Sequence, residues 1–507
     1  MADKLLGYEE AIKKYDPTFG IEVHVELATK TKMFCPAPNP AYDNNLENLT
    51  HPNTMLTPVS LGLPGALPVL NKQAVEYAIK IGLALNCEIA EKSVFSRKNY
   101  FYPDMTKNFQ TSQYDLPTCI NGYVDVELDD GEVFRVDIER AHLEEDAGKN
   151  NHVGGAEGRI QGADHSLVDY NRAGVPLIEI VTRPVFNTGK RAPEVAAAYV
   201  RTLRDIFKAI GVSNAQMERG NVRADVNLSL APAGSGKLGT RTETKNVNSF
   251  SAIEAAAKYE IRRQGAVLDS GADVFQETRM WHEASNDTSS GRPKSDADDY
   301  RYFPEPDLMP LYISREKVEE VRATLPELPQ AKRNRLKEEY GFKPLEMRDV
   351  INAEALNIIE DTVKKGATPQ GARKWWMNEA LEESRKAWNE GQEPTITPDQ
   401  IAAMDKLVQE GKINDKIARQ VLDAMIQGEG DDPAKIVADK GLEVVNDDGA
   451  LIAAIQEAFA KMPKAKTDIA GGNQGAAGPI IGMVMKATGG QADGKRVREL
   501  ILEEAAK

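Results

Sequence analysis

The chain has 507 residues, 41% of them hydrophobic and 28% charged, with 63 Lys and Arg against 78 Asp and Glu and a net charge of −15. That length exceeds one ordinary core and predicts two to four domains of a globular protein, with no apolar stretch long enough to span a membrane. The acidic balance excludes non-specific coating of nucleic acid, which phosphate neutralisation drives, while leaving room for RNA bound on a local basic face or alongside a partner.

"MADKLLGYEEAIKKYD" opens the chain as a charged amphipathic helix without the apolar core of a signal peptide. In "GIEVHVEL", Ile21, Val23, Val25 and Leu27 alternate with Glu22, His24 and Glu26, the period of a strand with one apolar and one polar face. Helices are predicted at 71–86, capped by Asn71, at 193–211, stopped by Gly211, and at 251–265, stopped by Gly265. "GYVDVEL", "EVFRVDIERAHLEED", "LIEIVT", "VRADVNLSL" and "TRTETKNV" read as strands around them. From about 314 the chain turns helical, with breaks at "GATPQGA" and at "EGQEPTITPDQ", where Thr397-Pro398 makes a capped helix start. The glycine-rich "TDIAGGNQGAAGPIIGMVMKATGGQADGK" predicts mobile loops around one short helix. The expected fold class is α+β: an antiparallel-sheet domain over 1–307, an all-α helical domain over 308–397 and a small helical tail domain over 398–507.

Several of these strands carry charge on one face. Beside Glu22, His24 and Glu26, "AHLEEDAGK" ends a strand with His142, Glu144, Glu145 and Asp146. "VRADVNLSL" sets Arg223, Asp225, Asn227 and Ser229 on one face, and "TRTETKNVNSF" does the same with Arg241, Glu243 and Lys245. In a shared sheet these faces would merge into an acidic floor studded with basic residues. Such a floor suits Mg²⁺, or Mn²⁺ beside the imidazole, rather than zinc, because hard cations take carboxylate oxygens and keep their waters. Spacing alone also allows solvated strands that never meet.

"SRKNYFYPDMTKNFQTSQYDLP" packs Arg97, Lys98, Tyr100, Phe101, Tyr102 and Lys107 into one run. Cations beside flat rings fit a nucleotide or an RNA end; the same run also fits an edge strand with core aromatics. "GGQADGK" has phosphate-loop spacing at Gly489, Gly494 and Lys495, but Arg496 stands where a Ser or Thr should be, which excludes a Walker loop. No G-x-S-x-G elbow occurs and Cys119 has no histidine near it in sequence, so any ammonia used is made elsewhere. The three cysteines, Cys35, Cys87 and Cys119, lie in unrelated contexts and suit a reducing cytoplasm.

In their order, "GIEVHVEL", "SLGLPGALPVLN", "SRKNYFYPDM", "AHLEEDAGK", "DYNRAGVPLIEIVTRP", "RADVNLSL", "TKNVNSF" and "DYRYFPEPDLMP" resemble the B subunits of the aspartyl/glutamyl-tRNA amidotransferases. The likeness runs from about residue 18 to 310 and, more loosely, through the helical tail to "VMKATGG". It implies that the sheet domain is a catalytic cradle. There ATP and Mg²⁺ serve to phosphorylate the side-chain carboxylate of Asp or Glu on misacylated tRNA. Ammonia from a partner amidase, the A subunit of a heterotrimer completed by a small C subunit, then gives Asn-tRNA(Asn) or Gln-tRNA(Gln). The resemblance implies Glu22, His24 and Glu145 as metal ligands with Glu144 close by, and Asp225 and Glu243 at a second ion or on a polar route for ammonia. Lys98 and Tyr100 are expected to face ATP phosphates or the tRNA terminus, and the tail from about 398 to grip tRNA. Family members often bind zinc through paired cysteines around "FCPAP" and "LTPVSLGLPG". Here Cys35 stands with Ala37, Thr57 and Ser60 at the other positions, so zinc is not expected.

Overall fold

The computed structural model describes residues 5–40, 42, 51–155, 162–217, 219–293, 300–389, 394–442, 444, 448–489 and 491–507. Packing divides the chain into two units, Met1–Arg333 and Asn334–Lys507. The first is built on sheet and the second is helical, as the α+β expectation has it.

In chain order the strands of the first unit that bear on the site are β1 (Tyr15–Glu26), β2 (Glu88–Ile89), β3 (Phe95–Asn99), β4 (Phe109–Gln113), β5 (Cys119–Glu127) and β6 (Val133–Glu145). They continue with β7 (Pro176–Thr182), β8 (Val222–Pro232), β9 (Thr242–Val247), β10 (Glu277–His282), β11 (Asp287–Pro293) and β12 (Phe303–Pro304). Nine of them form one sheet in the order β11-β10-β9-β8-β1-β7-β6-β5-β2. Every pairing in it is antiparallel except β9 with β10. A small sheet, β12-β3-β4, stands beside it.

One face of the large sheet is the core. Ile21, Val23 and Val25 of β1, Ile178 and Ile180 of β7 and Leu143 of β6 pack with three helices, α1 (Lys72–Ala84), α2 (Ala192–Ala209) and α3 (Phe250–Asp269). The sequence signals explain two of their ends. The Asn71 side chain accepts from the backbone of Gln73 and Ala74 to cap α1. Gly211, at φ +69°, follows α2 in the left-handed conformation a helix stop favours. Gly265 behaves differently from the expectation. It lies inside α3, and a Cβ there would stand 3.2 Å from that of Ala11, so the glycine admits a close neighbour rather than ending the helix.

The helical unit contains two apolar clusters. One runs from Leu336 to Val437 and includes Trp375, Trp376, Ile396 and Ile401; the other runs from Leu451 to Ala505. Packing thus groups residues differently from the expected ranges 1–307, 308–397 and 398–507: the first cluster continues across the Thr397-Pro398 helix start. The glycine-rich segment carries the one short helix expected of it, Ala477–Ala487; its first residues, Thr467–Ala470, also end a helix that begins at Pro463, and Ile469, Ile480 and Val484 join the second cluster. "GGQADGK" starts a further helix, Gly494–Ala505, where the Asp493 side chain accepts from the Lys495 backbone at 2.8 Å.

Ile180 lies directly behind the polar face and is fully buried. The Ile180→Ala variant is expected to lose about 2–5 kcal/mol of the first unit's stability, read as a lower urea midpoint. A midpoint equal to that of the unaltered chain would contradict this packing.

Candidate active site

The other face of the sheet is charged, and register decides which charges meet. In antiparallel pairing, directly opposed residues share a face. Glu179 of β7 lies opposite His24 of β1 on one side and His142 of β6 on the other. Glu144, two residues past His142, shares that face. His142 Nε2 is 3.1 Å from Glu179 Oε2; His24 Nε2 is 3.5 Å from Glu144 Oε1 and 3.8 Å from Glu179 Oε2. One ligand atom from each of His24, Glu144 and Glu179 fits within 4.8 Å of the others. Burial alone would raise the Glu179 carboxyl, but His142, His24 and Lys98 together hold it well below the usual carboxylate range.

A second group forms one pairing step away. Asp225 of β8 lies opposite Glu22, and Glu243 of β9 opposite Asn227. Glu22, Asp225 and Glu243 also bring ligand atoms within 4.8 Å of one another. Asn227 Nδ2 donates to Glu22 Oε1 at 3.2 Å, and Thr278 Oγ1 donates to Glu243 Oε2 at 2.9 Å. The Lys245 ammonium contacts Asp225 and lies 3.6 Å from Glu243. Burial would lower its pKa, but Asp225, Glu243 and Glu22 raise it and keep the charge fixed.

Glu145 does not join either group. Strand alternation turns it to the face opposite Glu144, where its Oε1 takes the Lys107 ammonium and the Thr111 backbone N–H at 2.9 Å. Glu179 stands instead in the first group. Sequence reasoning passed over it, although one carboxylate in the apolar "LIEIV" was a signal of a polar face with a partner. Glu26 is also set apart. It pairs with Arg172, which binds Asp146 Oδ2 at 2.7 Å, and Arg223 reaches Asp146 Oδ1 at 3.2 Å. The two carboxyls respond oppositely. Burial outweighs Arg172 at Glu26 and raises it, whereas Arg223 and Arg172 together overcome burial at Asp146 and lower it.

The small sheet brings the expected nucleotide or RNA run to this floor. Ser112 Oγ of β4 donates to Glu144 Oε2 at 3.3 Å. Lys98 of β3 lies 4.8 Å from the Tyr300 ring centroid. Burial would lower Lys98, but Tyr302, Glu144 and Glu179 raise it. Burial together with Asp104, Glu144, Asp146 and Glu145 pushes the Tyr100 phenol up, so it remains a proton donor. At the zinc-like position, Cys35 Sγ and Thr57 Oγ1 each lie 3.3 Å from Ser60 Oγ, one thiol and two hydroxyls joined by hydrogen bonds.

Two cations, the half-buried Arg172 and the buried Lys32, yield measurable consequences. Arg172→Ala leaves Glu26 and Asp146 short of a counter-charge and is expected to cost on the order of 3 kcal/mol, read as a fall in thermal midpoint; no fall would show that the pairs contribute nothing. Lys32 is fully buried, its Nζ has no hydrogen-bond partner among the described residues, and burial pulls its pKa down to about 8. From there up to about 10.4 the unfolded chain holds a proton that folded Lys32 has released, so its contribution to stability rises with pH. Urea midpoints at pH 7.5 and 9.5 should show that contribution in the unaltered chain and lose it in Lys32→Met; the same pH response in both chains would reject it.

A family model described as the GatB/GatE catalytic domain matches residues 17–319, and one described as the GatB domain matches residues 357–504. The chain is 60% identical over 502 residues to the B subunit of the aspartyl/glutamyl-tRNA(Asn/Gln) amidotransferase of Paenarthrobacter aurescens, covering 99% of this chain and 98% of that protein. It is 58% identical to the protein of the same name from Bifidobacterium longum over 502 residues, 99% of each. A third relative of that name, from a Nocardioides species, is 58% identical over 506 residues and covered in full, as is this chain. The chain therefore belongs to the GatB family, that of the B subunits of the aspartyl/glutamyl-tRNA(Asn/Gln) amidotransferases.

Proposed function

We propose that the chain is the B subunit of a heterotrimeric, glutamine-dependent amidotransferase, an ATP-dependent carbon–nitrogen ligase of translation. It phosphorylates the side-chain carboxylate of Asp or Glu on misacylated Asp-tRNA(Asn) or Glu-tRNA(Gln). Amidation with ammonia from the amidase, or A, subunit, in a complex completed by the small C subunit, gives Asn-tRNA(Asn) or Gln-tRNA(Gln). A carboxylate is a poor acyl donor, and phosphorylation supplies its leaving group. The observation that carries the reading is the meeting of His24, Glu144 and Glu179 beside Glu22, Asp225 and Glu243 on one sheet face.

Carboxylate oxygens with one imidazole and no thiolate fit Mg²⁺, or Mn²⁺, and such an ion would neutralise charge on the transferring phosphoryl. The chain's own residues supply the rest. Lys98 offers a fixed positive charge above the first group, and Tyr100 a proton donor, to ATP phosphates or the tRNA terminus. Lys245 limits repulsion within the second group, which serves a second ion or a polar path for ammonia. Glu145 anchors Lys107 and stays outside the ligand set. One thiol and two hydroxyls do not make a zinc site, so zinc has no part in this reading. The sheet unit is a catalytic cradle, and the helical unit comprises a connecting domain and a tail that grips tRNA. No helix among the described residues is long and apolar enough to cross a membrane; the enzyme works in the cytoplasm.

His24→Ala tests the reading in the reconstituted heterotrimer. Losing an outer-shell partner of a metal site costs about 10–100-fold, so losing a ligand should cut amidated tRNA and tRNA-dependent ADP release by about 100-fold or more. Glutamine hydrolysis by the partner should persist. Unchanged yield of Asn-tRNA and Gln-tRNA would reject the assignment.

A further inference from the structure

The small sheet carries a run of tyrosines that leads away from the first carboxylate group. Phe303 of β12 lies opposite Arg97 of β3, and Ser112 of β4 lies opposite Ser96. Alternation therefore puts Tyr302, Lys98 and Ser112 on one face, the face from which Ser112 Oγ reaches Glu144. Burial pushes the Tyr302 phenol up to about 12; Lys98 opposes the rise, and Glu144 and Glu179 add to it, which places Tyr302 within the field of that group. Away from the floor, Tyr302 stacks on Tyr114, with ring centroids 4.4 Å apart and planes 8° from parallel. Tyr300 meets Tyr302 edge-on at 6.3 Å and Tyr100 at 6.2 Å. Tyr302 covers one side of the Tyr114 ring, yet Tyr114 is 46% exposed, so the stack ends on an open ring.

The turn that carries the stack is held under strain. Arg301 has φ +46°, a left-handed backbone that a long side chain seldom adopts. Asn99 Nδ2 fixes it there, donating to the Arg301 carbonyl at 2.8 Å and to the Tyr300 carbonyl at 3.3 Å. Strained backbone of this kind gathers at ligand sites. The exposed Arg301 side chain makes no hydrogen bond or ion pair among the described residues. One ring is open, and the residue next to its stacking partner holds an unspent guanidinium. One nucleotide of an unpaired strand requires both: a face for its base and a cation for its phosphate.

We infer that this tyrosine wall seats the terminal adenine of the aminoacyl-tRNA, stacked on the open side of Tyr114, with Arg301 on the phosphate that precedes it. The assignment rests on the reading above and deepens it. The amino acid to be phosphorylated is esterified to that same nucleoside, so once its carboxylate reaches the first group, its adenine lies a short step outward. The wall runs outward from that group. The adenine of ATP offers the same ring, but a triphosphate laid along the wall would set its charge against the faces of Tyr302 and Tyr300, which are electron-rich and repel anions. An aminoacyl ester sets an uncharged ribose there, and its α-ammonium is attracted by the same ring faces.

Kinetics of the reconstituted heterotrimer, together with a tRNA carrying 2-aminopurine in place of the terminal adenine, test the assignment. Stacking quenches that base, so its fluorescence should fall on binding to the unaltered complex and stay at the level of free tRNA when bound to Tyr114→Leu. Tyr114→Leu should raise the KM for aminoacyl-tRNA about tenfold, leaving the KM for ATP unchanged, and Tyr114→Phe, which keeps the ring, should restore most of the loss. Arg301→Ala should raise the same KM and reduce its dependence on salt by about one phosphate contact. Tyr114 is exposed, so its variants keep the fold; should Tyr114→Leu fail to fold, Arg301→Ala and the fluorescence of the unaltered complex still decide. An unquenched terminal base, or a KM for aminoacyl-tRNA that neither variant moves, in an enzyme that amidates, overturns the seat alone. A rise in the KM for ATP at constant KM for aminoacyl-tRNA gives the wall to the adenine of ATP and also overturns it. If the unaltered heterotrimer amidates neither misacylated tRNA, the reading above falls and takes the seat with it.

Discussion

Glu179 meets His24 and His142 because β1, β7 and β6 pair in one fixed register. A slip of one residue would send every member of the row to the opposite face, into the helix-packed core. The register is held from both sides of the sheet. On the core face, Val23, Ile180 and Leu143 leave no space for charge. At the strand edge, the Ile21 backbone N–H donates to Thr182 Oγ1 at 2.9 Å, next to the irregularity between Val181 and Thr182. Apolar packing thus sets the geometry of the charged groups, and the site is as rigid as the core behind it.

That rigidity has to overcome a cost. Carboxylates held a few ångströms apart repel, and partial burial sharpens the repulsion. Local cations offset it group by group: Lys98 above the first group, Lys245 in the second, Arg172 and Arg223 around Asp146. The last of these closes one end of the floor with ion pairs already satisfied within the chain. The other end keeps arginine and amide groups that are not. The same face therefore grades from an end closed by ion pairs, through two groups of carboxylates, to an open end.

Much of this was legible in the strand period. The polar faces of "GIEVHVEL", "VRADVNLSL" and "TRTETKNV" do share one sheet, so the acidic floor follows from alternation once the strands are joined. What alternation within one strand cannot give is the neighbour across the ladder. Glu145 and Glu144 look equivalent in "HLEED", yet parity sends one to Lys107 and the other to His24. Glu179 was missed for the converse reason: it stands alone in its own strand, and its partners come from segments far away in sequence. A glycine misled in the same way: Gly265 reads locally as a helix stop, while packing against Ala11 puts it within a helix.

The opposition between a chain of net charge −15 and polyanionic substrates is resolved by position rather than by composition. Screening confines the influence of distant surface charge to about 10 Å, so what a bound substrate meets is the local field of the polar face. There the acidic groups are gathered together with the cations that offset them, Lys98 and Lys245. A uniformly basic face would attract phosphate anywhere along it and leave the reacting group unplaced. Alternating zones of opposite sign along one rigid strand give a charged substrate a single orientation in which every zone is satisfied. Preorganised charge of this kind favours a transferring phosphoryl without reorganising at the moment of reaction.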